Sequence, residues 1–159
     1  SISPFLPLDM MPLIRPATTD DAETLARFAE AMALETEDKR LAPDTVRAGI
    51  NAVLADAAKG FYIVAEHEAE VVGALMVTTE WSDWRNGTFW WIQSVYVRPE
   101  ARRQGVYTAM HEHVRQDAEG REDVCGLRLY VEAENTRAQM TYERLGMTPT
   151  TYRLYTSTA

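Results

Sequence analysis

"VYVRPEARRQGVYTAM", residues 95–110, runs from an alternating apolar strand through Arg98-Pro99 into a segment with helical spacing. Its junction carries Arg102, Arg103, Gln104, Gly105, Val106, Tyr107 and Thr108. A helix start leaves four N–H groups without internal partners, and the macrodipole adds about half a positive charge there. Two guanidinium groups and a glycine at that point suit a bound anion, because the bare backbone can approach a phosphate closely and each arginine adds charge-assisted hydrogen bonds. A plain β-to-α turn with solvated arginines stays open as the second reading, since one glycine with flanking cations is a weak motif.

Working outward, residues 13–17, "LIRPA", read as a first strand. A helix follows, with Asp20 and Glu23 at capping-box spacing and Leu25, Phe28, Ala29 and Met32 on one face. Asp44 can cap a second helix, whose Val46, Ile50, Val53, Leu54 and Ala57 share a face that ends before Gly60. "FYIVAE" and "VVGALMVTTE" flank the polar "HEAE" and read as an antiparallel hairpin; "TFWWIQSVYV" is the next strand. Residues 105–118 read as a helix, "CGLRLYV" as a strand, "TRAQMTYERLG" as a helix closed by Gly146, and "TTYRLYT" as a last strand. The strand–helix–strand stretch from Phe89 to Val131 requires a crossover, so its two strands are expected to be parallel neighbours in an otherwise antiparallel sheet. The fold class is α+β, with about four helices flanking a mixed sheet.

The totals agree with one domain over residues 1–159, with 1–11 as an extended N-terminal segment and Met10 or Met11 nearer the natural start. That opening segment is broken by prolines and lacks a basic region, so it does not read as a secretory signal. No apolar run approaches the roughly 18 residues of a membrane helix. A net charge of −8 argues against a nucleic-acid binder and makes any cationic patch local. The single cysteine, Cys125, excludes an internal disulfide, suits a reducing cytoplasm, and is expected to be a small buried hydrophobe.

Two blocks carry a resemblance. Arg102, Gly105 and Tyr107 resemble the Gln/Arg-x-x-Gly-x-Gly/Ala acyl-CoA motif of the GNAT superfamily of N-acetyltransferases, with Tyr107 departing from its small final residue. Asn135, Ala138, Tyr142, Gly146 and Met147 are similar to that family's fifth-strand and fourth-helix pattern. The element order agrees with the GNAT fold over residues 12–155, in which a parallel strand pair splays apart.

The resemblance implies acetyl-CoA as cosubstrate, with no metal. Its pantetheine arm would bond strand backbone at Val95, Tyr96 and Val97, as an added strand does. Its diphosphate would lie on residues 102–108, and Asn135 and Ala138 would also contact the cofactor. A strand N–H would stabilise the oxyanion of the transfer, and Tyr142 would donate to the departing thiolate. A phenol of pKa about 10 is a weaker acid than a thiol of about 8.5, so full transfer is uphill by roughly 2 kcal/mol and hydrogen-bond donation is the alternative. Apart from the motif, Tyr142 at helical spacing reads first as a core tyrosine.

The acceptor amine must lose a proton. Where many relatives carry a glutamate, this chain has Gln93, whose amide is no base. Glu37, with Glu35 beside it in "ETED", is the candidate base; a solvated acidic loop, with water carrying the proton, is the alternative. Trp81, Trp84, Trp90 and Trp91 crowd around a polar turn, and core packing competes with a cation-binding acceptor wall at Trp84 and Trp90. His111 and His113 point in different directions on a helix, which disfavours a metal site. The function expected is N-acetyl transfer from acetyl-CoA to a primary amine in a ternary complex, with a homodimer in view from the aromatic last strand. The alternative is an acyl-CoA-binding sensor or interaction module that transfers nothing.

Overall fold

The computed structural model describes residues 11–158. The extended segment and start site expected at the N-terminus lie, through residue 10, outside the described residues. Residues up to Leu129 form one compact unit and Tyr130 onward a second.

The first unit is a five-stranded sheet in the order β1 (Leu13–Pro16), β2 (Phe61–His67), β3 (Glu70–Ser82), β4 (Gly87–Val97), β5 (Val124–Leu129). All pairs are antiparallel except β4 with β5, which is parallel. Helices α1 (Ala22–Glu37) and α2 (Pro43–Ala55) precede β2, and α3 (Val106–Glu119) makes the crossover from β4 to β5. Pro43 occupies the first turn of α2, where its missing N–H costs nothing, so Asp44 sits inside the helix rather than capping it. The entry to α1 also differs from expectation. A short 3-10 turn at Thr19–Asp21 precedes it, and the Thr18 N–H donates to the Asp21 carboxylate at 2.7 Å.

Alternation along the strands divides the apolar side chains between two layers. Ile63, Leu75, Val77, Trp90 and Ile92 pack with Val106, Met110 and Val114 of α3. Val64, Ala74 and Tyr96 pack on the other side with Leu25 and Phe28 of α1 and Ile50 of α2. Trp90, Ile92 and Tyr96 have the same parity yet face opposite layers, because β4 carries a bulge. Its register against β3 jumps from Met76↔Gln93 to Ala74↔Tyr96, with Ser94 at φ 52°. One extra residue reverses every later side chain.

The second unit contains α4 (Thr136–Arg144). The strand expected at residues 150–156 is absent: this segment has no regular secondary structure, and Tyr152, Leu154 and Tyr155 are exposed. Alternating aromatics fit a strand, but a strand forms only where a neighbour takes its backbone hydrogen bonds. Cys125 is likewise exposed rather than buried, on the edge strand β5.

Candidate active site

The β4–β5 ladder ends at Ile92↔Leu129, while β4 continues to Val97. Residues 93–97 therefore have no strand partner on that side among the described residues. The Arg98 N–H donates to the Val72 carbonyl at 2.8 Å, so the peptide groups of Val97, one residue earlier, face away from β3 toward this open edge. The bulge places Val95 on the same edge.

A 3-10 turn at Pro99–Ala101 follows β4, and Gly105 then takes φ 82°, ψ 10° as the N-cap of α3. In that left-handed conformation a Cβ would be strained, which accounts for glycine here. The cap has no side chain and the first turn of α3 has no acidic residue. The Gly105 carbonyl accepts from Ala109 at 3.0 Å, so the helical ladder of α3 begins here and the first turn points its N–H groups out of the helix start. Buried Val106 anchors this turn in the core. Gln104 braces the loop by donating to the Glu100 carbonyl at 2.9 Å. Arg103, exposed and at φ 61°, makes no side-chain hydrogen bond or ion pair among the described residues.

Tyr107 is held one turn along its helix. Its hydroxyl lies 3.0 Å from Nδ1 of His111, with the rings edge to face at 5.6 Å. Burial pushes the His111 imidazole below its ordinary value, favouring the neutral ring whose free nitrogen can accept from the phenol.

Arg102 is engaged on two sides. Its Nε donates to the Val97 carbonyl at 2.8 Å and its Nη2 pairs with Glu35 at 2.7 Å, with the guanidinium 5.4 Å from the Tyr96 ring centre. The Tyr96 hydroxyl donates to the other Glu35 oxygen at 3.3 Å. Burial first, and then the Glu35 charge, hold this phenol above its usual range.

A separate cleft of about 550 Å³ borders Glu100, Gln104 and Val106, and is also lined by His67, Glu68 and Glu70. Its three carboxylates make it unfit for a diphosphate.

In the second unit, Asn135 caps α4, its Oδ1 accepting from the Ala138 N–H at 3.1 Å. Gly146 at φ 90° ends the helix. The Gly146 N–H bonds the Glu143 carbonyl and the Met147 N–H the Tyr142 carbonyl, each at 3.0 Å, in the Schellman arrangement. Tyr142 is half-buried on this helix, and burial raises its phenol above the usual value.

The model of the acetyltransferase (GNAT) family matches residues 22–147. The chain belongs to that family. The match runs through both compact units. A solved structure called a possible acetyltransferase, from Clostridium difficile 630, is 43% identical, with a TM-score of 0.87 over 94% of this chain and 98% of that one. Two more distant structures share the fold. A transcriptional regulator from Bacillus halodurans C-125 is 22% identical, with a TM-score of 0.80 over 92% of this chain and 99% of that one. A predicted acetyltransferase with acetyl-CoA, from Clostridium acetobutylicum, is 16% identical, with a TM-score of 0.77 over 92% of this chain and 96% of that one. No curated protein matches.

Within this GNAT chain the residues expected around the cofactor from Val95 to Thr108 run along the open end of β4, the 3-10 turn and the start of α3, and Glu35 meets them through Arg102. Glu37, expected as the base, does not: it is the exposed last residue of α1, before Asp38 turns left-handed at φ 50°. Gln93 is occupied, donating to Thr78 Oγ1 at 2.5 Å. The acceptor wall expected at Trp84 and Trp90 is not assembled. Trp90 is 5% exposed and packs edge to face on Phe61 in the core, since its parity before the bulge turns it toward α3. Trp84 sits 89% exposed in the β3–β4 turn, at the opposite end of β4 from Arg102, about 30 Å along the strand. Trp91 takes the face opposite Trp90 and donates from its indole to Glu80 at 3.0 Å.

Sequence reasoning missed Tyr96 as a partner of Glu35, because the bulge that aims it leaves no mark in the alternating pattern. It also missed His111, whose one-turn spacing from Tyr107 could have suggested the pair. Among the described residues no group of His, Cys, Asp or Glu could hold a metal ion. No described helix is long and apolar enough to cross a membrane.

Proposed function

We propose that this chain is an N-acetyltransferase that moves the acetyl group of acetyl-CoA directly to a primary amine in a ternary complex. The observation that carries the reading is the continuity of the open β4 edge with the Gly105 turn and the uncapped start of α3. An extended amide-bearing arm fits an unpaired strand edge, and a diphosphate fits free N–H groups beside cations. Val95, Tyr96 and Val97 would hold pantetheine, and Arg102 through Thr108 the diphosphate. Asn135 and Ala138 join the cofactor residues by the motif they match.

In the transfer, the amine nitrogen bonds to the thioester carbon and the carbon–sulfur bond breaks, with coenzyme A leaving as the thiolate. A β4 N–H on the open edge would stabilise the carbonyl oxygen as negative charge develops. Tyr142 is the proposed donor to the thiolate. Its raised proton affinity keeps it protonated at neutral pH and makes it a hydrogen-bond donor more than a completed acid. Glu35 and water are the proposed routes for the amine's proton, and Gln93 the proposed acceptor contact. We further propose one functional domain spanning both units, a cytoplasmic location consistent with a single exposed thiol, and a homodimer.

A second reading, a cofactor-binding sensor that transfers nothing, is favoured by one observation: where a base would stand, the Gln93 amide is tied to Thr78. Acetyl-CoA consumption with a panel of primary amines, followed by thiol release and product mass, decides between the two. Amine-dependent thiol release supports transfer. Tight cofactor binding with no release on any amine supports the sensor.

A further inference from the structure

Arg102 stands where its side chain obstructs the site it is expected to serve. Its Nε bonds the outward-facing Val97 carbonyl, a group that an added strand would use, and Glu35 draws its Nη2 toward the end of α1. The Tyr96 hydroxyl holds the second Glu35 oxygen, so both carboxylate oxygens are occupied. Resting on the acyl-CoA reading, we infer that Glu35 and the cofactor diphosphate compete for Arg102. Diphosphate binding transfers the guanidinium from carboxylate to phosphate, uncovers the Val97 carbonyl, and releases a Glu35 oxygen.

The physical basis is an exchange of anions around one fixed cation. Arg102 and Glu35 are each about two-fifths exposed at the side chain, so their pair is weak enough to be displaced. A diphosphate offers the same guanidinium a bidentate partner, and the positive end of α3, which carries no side-chain cap and no acidic residue in its first turn, would hold that diphosphate close by. Arg103, exposed and with no side-chain hydrogen bond or ion pair among the described residues, can receive the anion first. Glu35 is thus a positioning residue that acts through Arg102. The released oxygen lies on the α1 side of the edge, where it would attract a cationic acceptor only after the cofactor has arrived.

The test is a double-mutant cycle read by calorimetry with CoA as the probe, so that no acceptor is needed. Glu35→Gln is expected to tighten CoA binding by about two- to five-fold, the range an exposed ion pair supplies. Arg102→Gln is expected to weaken it, and Glu35→Gln placed on Arg102→Gln to give no further gain. A Glu35→Gln variant that binds CoA no better than the parent overturns the exchange. So does a gain that persists without Arg102, since that would mean Glu35 merely repels the phosphates. Thermal unfolding without CoA checks that each variant is folded. If the parent itself fails to bind CoA, the acyl-CoA reading falls together with the exchange; if the parent binds and the cycle shows no coupling, only the exchange falls.

Discussion

The Tyr107 hydroxyl is bonded to His111 Nδ1 at 3.0 Å, and this pair explains how a bulky residue can occupy a position that the family pattern reserves for a small one. The phenol is drawn one turn along α3, away from the N–H groups of its own first turn. His111→Leu keeps the buried volume but removes the acceptor. With the ring free to swing toward the helix start, CoA affinity should fall several-fold, and Tyr107→Ala in the same background should restore it. Calorimetry on the three proteins checks this, and no recovery in the double variant would separate the pair from cofactor binding.

Gly105→Val should be more damaging. A β-branched residue at φ 82° costs about 1–3 kcal/mol and tilts the three N–H groups that follow. The expected outcome is a melting temperature several degrees lower and CoA affinity reduced at least ten-fold. Affinity equal to the parent's would dissociate this turn from the diphosphate.

Tyr142→Phe should lower turnover by about 10²-fold, the lower end of general acid catalysis, while acetyl-CoA affinity changes by no more than a few-fold. The raised proton affinity of Tyr142 places its own titration above its ordinary value of 10, so the rate should not fall on its account between pH 7 and 9. Initial rates on whichever amine supports turnover measure both effects. Unchanged turnover would remove the phenol from the chemistry.

Stability should decline in two separate acid windows. Buried His111 resists protonation when folded, so the unfolded chain takes up the extra proton and stability falls as pH drops below about 6.5. Asp21 acts in the same direction at lower pH. Arg15, at 2.8 and 3.0 Å, holds its carboxyl below the ordinary 3.8, so its contribution is complete above that value and is lost as pH falls through the folded-state value. His111→Gln should flatten the first window alone. Asp21→Asn should abolish its share of the second and cost about 1.5–3 kcal/mol at pH 7. Chemical denaturation across pH 3–8 resolves the two.

Local chemistry made much of this protein legible in its residues. The strand-to-helix junction at Val95–Met110, the apolar stripes of α1 and α3 and the glycine that closes α4 all depend on neighbours within a few positions, and such patterns survive in a linear reading. The parallel β4–β5 pair was legible for a similar reason: a strand–helix–strand crossover of this length leaves few alternatives.

Tertiary structure decided what local pattern could not. The bulge at Ser94 reversed the facing of Tyr96 relative to Trp90, sending one toward α1 and the other beneath α3, because a single added residue inverts a period of two. It brought Glu35 rather than Glu37 to Arg102 across 67 positions of chain, a meeting set by how α1 packs on the sheet. It also left residues 150–156 without a ladder, since a strand exists only where another backbone answers it. Sequence alone determined the elements through α4 and which cations stand at the junction; only the folded chain determined which anion Arg102 faces.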